Sequence, residues 1–293
     1  MRVLVTGAAG MLGRDLVAVL SAGHEVRGVD IDEVDITDSA AVERSIDKSA
    51  PELVIHAAAY TDVERAESEP DRAMEVNAQG AANVAAACAA TGARMILIST
   101  DFVFDGAIGR PYRETDPVNP INVYGRSKLQ GELLAREALP SLTVLRTAWL
   151  YGAHGDNFLK KILRVAAGNK SIRVITDQRG SPTYAVDLAA TIGRMIARDF
   201  QDRLYHAAGA GSCSRYELAV ELFAVLGITD CELEPVTSES LPFPVKRPAN
   251  SALDCERLRK EGIEPPRPWK EALKDFATRH LAYRSGREPR GRG

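Results

Sequence analysis

The strongest constraint on the fold is a glycine-rich turn, Thr6-Gly7-Ala8-Ala9-Gly10-Met11-Leu12-Gly13, set between an apolar β-rich run at 3–6 and a helix-like segment at 11–21. Glycines spaced GxxGxxG let a chain pass abruptly from strand to helix. They also let a phosphate approach the free backbone N–H groups at the helix start. A second strand candidate, 25–29, is followed by Asp30, 17 residues past Gly13. A carboxylate at that place can accept from two ribose hydroxyls, so the segment reads as the opening of a dinucleotide-binding βαβ unit. Gly7, Gly10, Met11, Leu12 and Gly13 are then expected around the pyrophosphate, and Asp30 at the ribose. Asp35 and Ile36 are expected at the adenine, while Asp38 reads as a helix cap.

The rest of the first half repeats this rhythm. Strand candidates at 53–57, 95–99 and 142–146 alternate with helical stretches at 39–48, 70–90 and 123–137. Uninterrupted apolar strands without alternation belong to a parallel sheet covered on both faces. Beyond Trp149 come a helix (158–167), a strand (172–175), a helix (187–198), a strand (204–206), a helix (215–226) and a Pro-rich stretch (234–248). The expected fold class is α/β: a Rossmann-type doubly wound parallel sheet with a smaller C-terminal α/β substrate domain. Residues 1–151, completed by about 178–206, form the dinucleotide unit, and 152–177 with 207–285 form the substrate unit. The Arg/Gly-rich residues 286–293 read as a flexible tail.

Charge excludes some partners. Thirty-seven Lys and Arg against 40 Asp and Glu leave −3, which offers no field to draw nucleic acid or anionic lipid. No window approaches the roughly 18 apolar residues of a membrane span, so a cytoplasmic protein without membrane or nucleic-acid partners is expected. Cys88, Cys213, Cys231 and Cys255 lack CxxC spacing and read as reduced thiols. The five histidines, His24, His56, His154, His206 and His280, lack metal-ligand spacing and read as structural, so no metal is assigned.

Chemistry is signalled by Tyr124-Gly125-Arg126-Ser127-Lys128, which puts a phenol and an ammonium one turn apart on a helix started by Pro120, Ile121 and Asn122. A free phenol titrates near about 10, and a neighbouring cation draws it toward neutrality, where acid–base catalysis becomes efficient. Ser99-Thr100-Asp101 ends the fourth strand, where a parallel sheet opens to ligands, and Thr100 can donate to a carbonyl oxygen beside the tyrosine.

With His56-Ala-Ala-Ala-Tyr-Thr61, Asn77 and Phe102-Val-Phe104, these motifs resemble the extended short-chain dehydrogenase/reductases. The run 57–70, the segment 146–151, Asp177-Gln-Arg-Gly-Ser-Pro-Thr183 and Arg247-Pro-Ala-Asn-Ser251 resemble, within them, the dTDP-4-dehydrorhamnose reductase family, over about residues 1–283. The resemblance implies reduction of the C4 keto group of dTDP-4-dehydro-6-deoxy-L-lyxo-hexose to dTDP-L-rhamnose by hydride from NADH or NADPH. Thr100, Tyr124 and Lys128 would be catalytic. Ala59, Tyr60 and Thr61 would join Tyr124 and Lys128 in lining the cofactor. Thr100, Asp101, Phe102, Tyr124, Trp149, Asn157 and Arg247 would meet the dTDP-linked sugar, the last two at the diphosphate. The family often carries Tyr where Phe102 stands.

Asp30 is followed by Ile31-Asp32-Glu33 with no Arg or Lys to receive a 2′-phosphate, so NADH is favoured. Arg27 lies three residues earlier on the same strand and would have to turn back around the edge. In some members of the family magnesium held by glutamates joins two copies. Asp15, Asp187 and Asp275 stand at those places, each one methylene shorter. A monomer or homodimer is expected. Two other readings stay open: a related nucleotide-sugar epimerase, and a non-catalytic regulatory subunit similar to the methionine adenosyltransferase beta subunit. Dehydration is disfavoured because Phe102 stands where dehydratases carry an acid.

Overall fold

Six parallel strands form the central sheet of the computed structural model, which describes residues 1–201, 203–241 and 244–281. In chain order, β1 (Arg2–Thr6), α1 (Met11–Leu20), β2 (Glu25–Val29), α2 (Ser39–Ser49) and β3 (Leu53–His56) come first. Helices α3 (Val63–Ser68), α4 (Pro70–Met74) and α5 (Gly80–Thr91) follow, then β4 (Arg94–Thr100), α6 (Val123–Ala138) and β5 (Thr143–Thr147). The later helices are α7 (Phe158–Gly168), α8 (Ala185–Ala197), α9 (Arg215–Leu226), α10 (Glu256–Lys260) and α11 (Trp269–His280).

Across the sheet the order is strand Leu204–His206, β5, β4, β3, β1, β2. The direction of winding reverses between β1 and β3, where Thr6 pairs with His56, and a ligand crevice opens beyond the carboxyl ends of the strands at such a switch point. Alternate residues of each strand enter opposite cores. Val3 and Val5 meet Leu12 and Leu16 of α1 and Leu188 and Ile192 of α8, while Leu4 meets Val42 and Ile46 of α2 and Val84 of α5. Each such side chain removed from water contributes about 1.5–3 kcal/mol, which is why the strands read as unbroken apolar runs. A third core joins α7, α9 and α11 around Leu159, Leu222 and Phe276. Because α8 packs on α1 and Leu204–His206 extends the sheet beside β5, part of the second half of the chain completes the first.

The single helix expected at 70–90 is divided. Asp62 caps α3 by accepting from the N–H groups of Glu64 and Arg65, Pro70 opens α4, and a π-turn at Glu75–Gln79 precedes α5. A strand at Glu232–Val236, beginning just before the Pro-rich stretch, pairs in parallel with Ser171–Ile175. Among the described residues no helix is long and apolar enough to cross a membrane. The tail expected at 286–293 lies outside the described residues.

Candidate active site

A cavity of about 870 Å³ runs along the carboxyl ends of the strands, from the glycine turn to Trp149 and Arg247. Gly7 has φ +70°, and a Cβ there would lie 2.6 Å from the Ala58 backbone nitrogen. A Cβ on Gly13 would lie 2.0 Å from the Gly7 carbonyl oxygen. Both positions exclude any side chain, and the turn delivers the amino end of α1 to the cavity, which suits a dinucleotide pyrophosphate. Gly10, Met11, Leu12, Asp30, Asp35 and Ile36 line the same end. Asp30 is fixed by accepting from the N–H groups of Ala9 (2.7 Å) and Ile31 (2.8 Å). Asp35 accepts from the N–H and hydroxyl of Thr37, which hold its carboxyl below the usual range. Asp38 caps α2 at Ala41. The Asn77 side chain, within the π-turn, accepts from the Tyr60 N–H (2.8 Å) and donates to the Tyr60 carbonyl (3.0 Å) and the Ser127 hydroxyl (2.9 Å). It ties the Ala59-Tyr60-Thr61 wall to the helix that carries Tyr124.

Thr100, ending β4, meets Tyr124 and Lys128 on α6, whose first turn is capped by Asn122 accepting from the Gly125 N–H. The Thr100 hydroxyl, which donates to Asp101 Oδ1 at 3.1 Å, lies beside the Tyr124 phenol, and Phe102 packs edge-on against the Tyr124 ring, centroids 5.6 Å apart. The expected fall of the phenol pKa toward neutrality is not what the site produces. Burial pushes the phenol up to about 12, while Lys128 Nζ donates to the Ile98 carbonyl at 2.8 Å. Tyr124 therefore keeps its proton at neutral pH. Burial also brings the Lys128 ammonium down to about 8, with Glu132 opposing the fall. Glu132 is itself held by Arg146, at 2.9 Å from Nε and 2.6 Å from a terminal nitrogen, and by the Ser99 hydroxyl. Asp101 is buried, which pushes its acid up to about 6 against hydrogen bonds from Ser251 and Thr100.

At the other end, Trp149 has φ +44° and its indole lies where a Gly180 side chain would otherwise be. Arg215 stacks on that indole, its guanidinium carbon 3.5 Å from the ring centroid. The sequence reading missed Arg215, since an arginine opening an amphipathic helix looks like any surface cation. Arg247 lines the cavity and donates to Glu64 at 3.2 Å. Asn157 does not line it. Its amide caps α7 at Lys160 and donates to the Gly152 carbonyl, and the neighbouring Asp156 takes the lining position.

His56 bonds the Thr6 hydroxyl and His206 the Tyr112 carbonyl. Burial holds both near about 3, so neither carries charge at neutral pH. Cys88, Cys213, Cys231 and Cys255 are all buried. Of the three aspartates matched to the magnesium site, Asp187 (2.7 Å) and Asp275 (3.0 Å) are bridged by Arg267, and Asp15 faces His154 at 3.9 Å. Among the described residues no group of three His, Cys, Asp or Glu side chains is placed to hold an ion.

The family described as the RmlD substrate binding domain matches residues 1–282. The chain is 42% identical over 292 residues to a dTDP-4-dehydrorhamnose reductase of Streptomyces griseus, covering 98% of this chain and 96% of that one. A crystal structure of a dTDP-4-dehydrorhamnose reductase ortholog from Clostridium acetobutylicum superposes with a TM-score of 0.91 at 39% identity, covering 95% of this chain and 99% of that one. The Bacillus anthracis enzyme of the same name, in complex with NADP, gives 0.89 at 37% identity over 94% of this chain and 98% of that one. With its glycine turn, Thr100, Tyr124 and Lys128 gathered in one cavity, this chain belongs to the dTDP-4-dehydrorhamnose reductase family of extended short-chain dehydrogenase/reductases.

Proposed function

We propose that this chain reduces the C4 keto group of dTDP-4-dehydro-6-deoxy-L-lyxo-hexose to dTDP-L-rhamnose. The observation that carries the reading is one continuous cavity joining a side-chain-free glycine turn, an acid pair of Thr100 and Tyr124, and two arginines. A reduced nicotinamide dinucleotide bound there supplies the hydride. Gly7, Gly10, Met11, Leu12 and Gly13 would take its pyrophosphate, Asp30 its adenosine ribose, Asp35 and Ile36 its adenine. Ala59, Tyr60 and Thr61 would flank the groove, and Lys128 would take the nicotinamide ribose. Thr100 polarises the substrate carbonyl. Tyr124, which retains its proton at neutral pH, releases it to the C4 oxygen as the carbonyl carbon is reduced. Asp101, Phe102 and Trp149 surround the sugar. The dinucleotide unit would be 1–151 with about 178–206, and the described remainder, to residue 281, would hold the sugar nucleotide.

NADH is the better partner. Arg27, on the strand that leads to Asp30, is paired with Glu33 (3.6 Å) and donates to Ser49, while Asp30 stays fixed in place. The B. anthracis relative holds NADP, so the preference is a bias and not an exclusion. The test presents the keto-sugar nucleotide with NADH or NADPH and follows loss of the reduced nicotinamide. Turnover that yields dTDP-L-rhamnose is expected, and no oxidation with either cofactor would remove the proposal.

A further inference from the structure

A guanidinium drawn out of bulk water needs an anion or a set of acceptors to offset its lost hydration. Arg215 has neither. It stands at the start of α9 on the cavity wall, 3.5 Å from the Trp149 ring centroid and 5.0 Å from that of Phe158. Among the described residues none accepts a hydrogen bond from its side chain or forms an ion pair with it. Nearby arginines differ: Arg179 is paired with Glu217, and Arg267 with Asp187 and Asp275. Arg247 is only partly neutralised, because Glu64 meets one terminal nitrogen while its Nε is buried without an acceptor.

The two incompletely matched guanidiniums are close enough to repel, and Arg215 also feels the attraction of Asp101, the neighbour of Thr100. Arg215 thus shares one cavity wall with Asp101 at the reacting end and with Arg247. Two like charges in the wall of one cavity become favourable once an anion of two or more charges sits between them.

We infer that Arg215 is a substrate-binding residue that takes the sugar-proximal phosphate of the nucleotide-sugar diphosphate, leaving the nucleoside-proximal phosphate to Arg247. The identity of the substrate rests on the function proposed above; the anion site rests on the arginines alone. Stacking between Trp149 and Phe158 fixes the plane of the guanidinium, so its paired N–H groups are held in a fork suited to phosphate oxygens. The same stacking couples the phosphate grip to the indole that faces the sugar.

The test is equilibrium binding to the full-length wild type, Arg215→Met and Arg215→Lys of five probes: dTDP, UDP, thymidine, inorganic pyrophosphate and NADPH. Arg215→Met should weaken dTDP and pyrophosphate roughly 10- to 100-fold, as expected for a lost charge-assisted pair, and leave thymidine and NADPH within about twofold. Arg215→Lys should recover only part of the loss, because an ammonium cannot pair bidentately. If Arg215→Met binds dTDP as the wild type does, or loses thymidine as severely as dTDP, the residue merely supports Trp149 and the inference falls. Wild type that binds neither anion also overturns it. Arg215-dependent pyrophosphate binding without preference for dTDP over UDP would support the phosphate site while removing the proposed nucleotide.

Discussion

Replacing Glu132 by Gln keeps the shape of the side chain and removes one buried negative charge beneath the catalytic helix face. In the native fold that carboxylate accepts from Arg146 Nε at 2.9 Å, from a terminal nitrogen at 2.6 Å and from the Ser99 hydroxyl, with the two charged side chains only 5% and 7% exposed. An exposed pair of this kind would contribute at most about 1 kcal/mol. Here the variant strands Arg146 in the interior, and breaking a buried pair from one side costs about 3–5 kcal/mol. That is a large share of the roughly 5–15 kcal/mol that holds a protein folded. Urea unfolding followed by far-UV circular dichroism reads the loss. The double variant Glu132→Met/Arg146→Met, which removes both charges, should be destabilised far less than Glu132→Gln. Glu132 also opposes the burial that brings Lys128 down to about 8. Without it the ammonium loses its proton at lower pH, so the alkaline limb of kcat/KM should move toward neutrality. A loss of stability below about 1 kcal/mol, or an alkaline limb that stays in place, would refute the reasoning.

Tyr124→Phe should lower kcat by about 10²- to 10⁴-fold, the usual contribution of general acid catalysis, with cofactor affinity nearly unchanged; near-normal turnover would dismiss Tyr124 as the acid. Asp30→Ala should bring the NADH to NADPH ratio of kcat/KM from about tenfold toward parity, and an unchanged ratio would show that this carboxylate is not what discriminates. His206 is held near about 3, chiefly by burial, against about 6.5 unfolded. The unfolded chain therefore binds the extra proton: the stability is full above about 6.5 and is lost as pH falls toward 3, at up to about 1.4 kcal/mol per pH unit. Urea midpoints measured between pH 7 and 5 should fall less steeply in His206→Gln than in the wild type.

The sheet was legible because its inner strands β1, β3 and β5 are buried on both faces and read as apolar runs, while the half-buried edge strand β2 was found through the fixed order of glycine turn, strand and Asp30. The helix at 70–90 was not. Nothing local marks Asn77 as the partner of Tyr60 and Ser127, yet those bonds accompany the π-turn that divides it. A similar blindness affected charge. The i, i+4 spacing correctly places Tyr124 and Lys128 on one helix, but the phenol's pKa follows burial, and the lysine's partner is a carbonyl 30 residues away. Asn157 was read as a diphosphate ligand although an asparagine before an apolar helix is equally a cap. Arg215 was overlooked because only the fold shows that Trp149 and Phe158 enclose it and that no carboxylate among the described residues forms an ion pair with it.

The most direct measurement uses NADH carrying deuterium at the transferable C4 position and locates the label in the isolated product by NMR and mass spectrometry. The account expects stoichiometric oxidation of the cofactor and one deuterium at C4 of the 6-deoxy-sugar in dTDP-L-rhamnose. Label at another carbon, or interconversion of the sugar nucleotide without net oxidation, would contradict it.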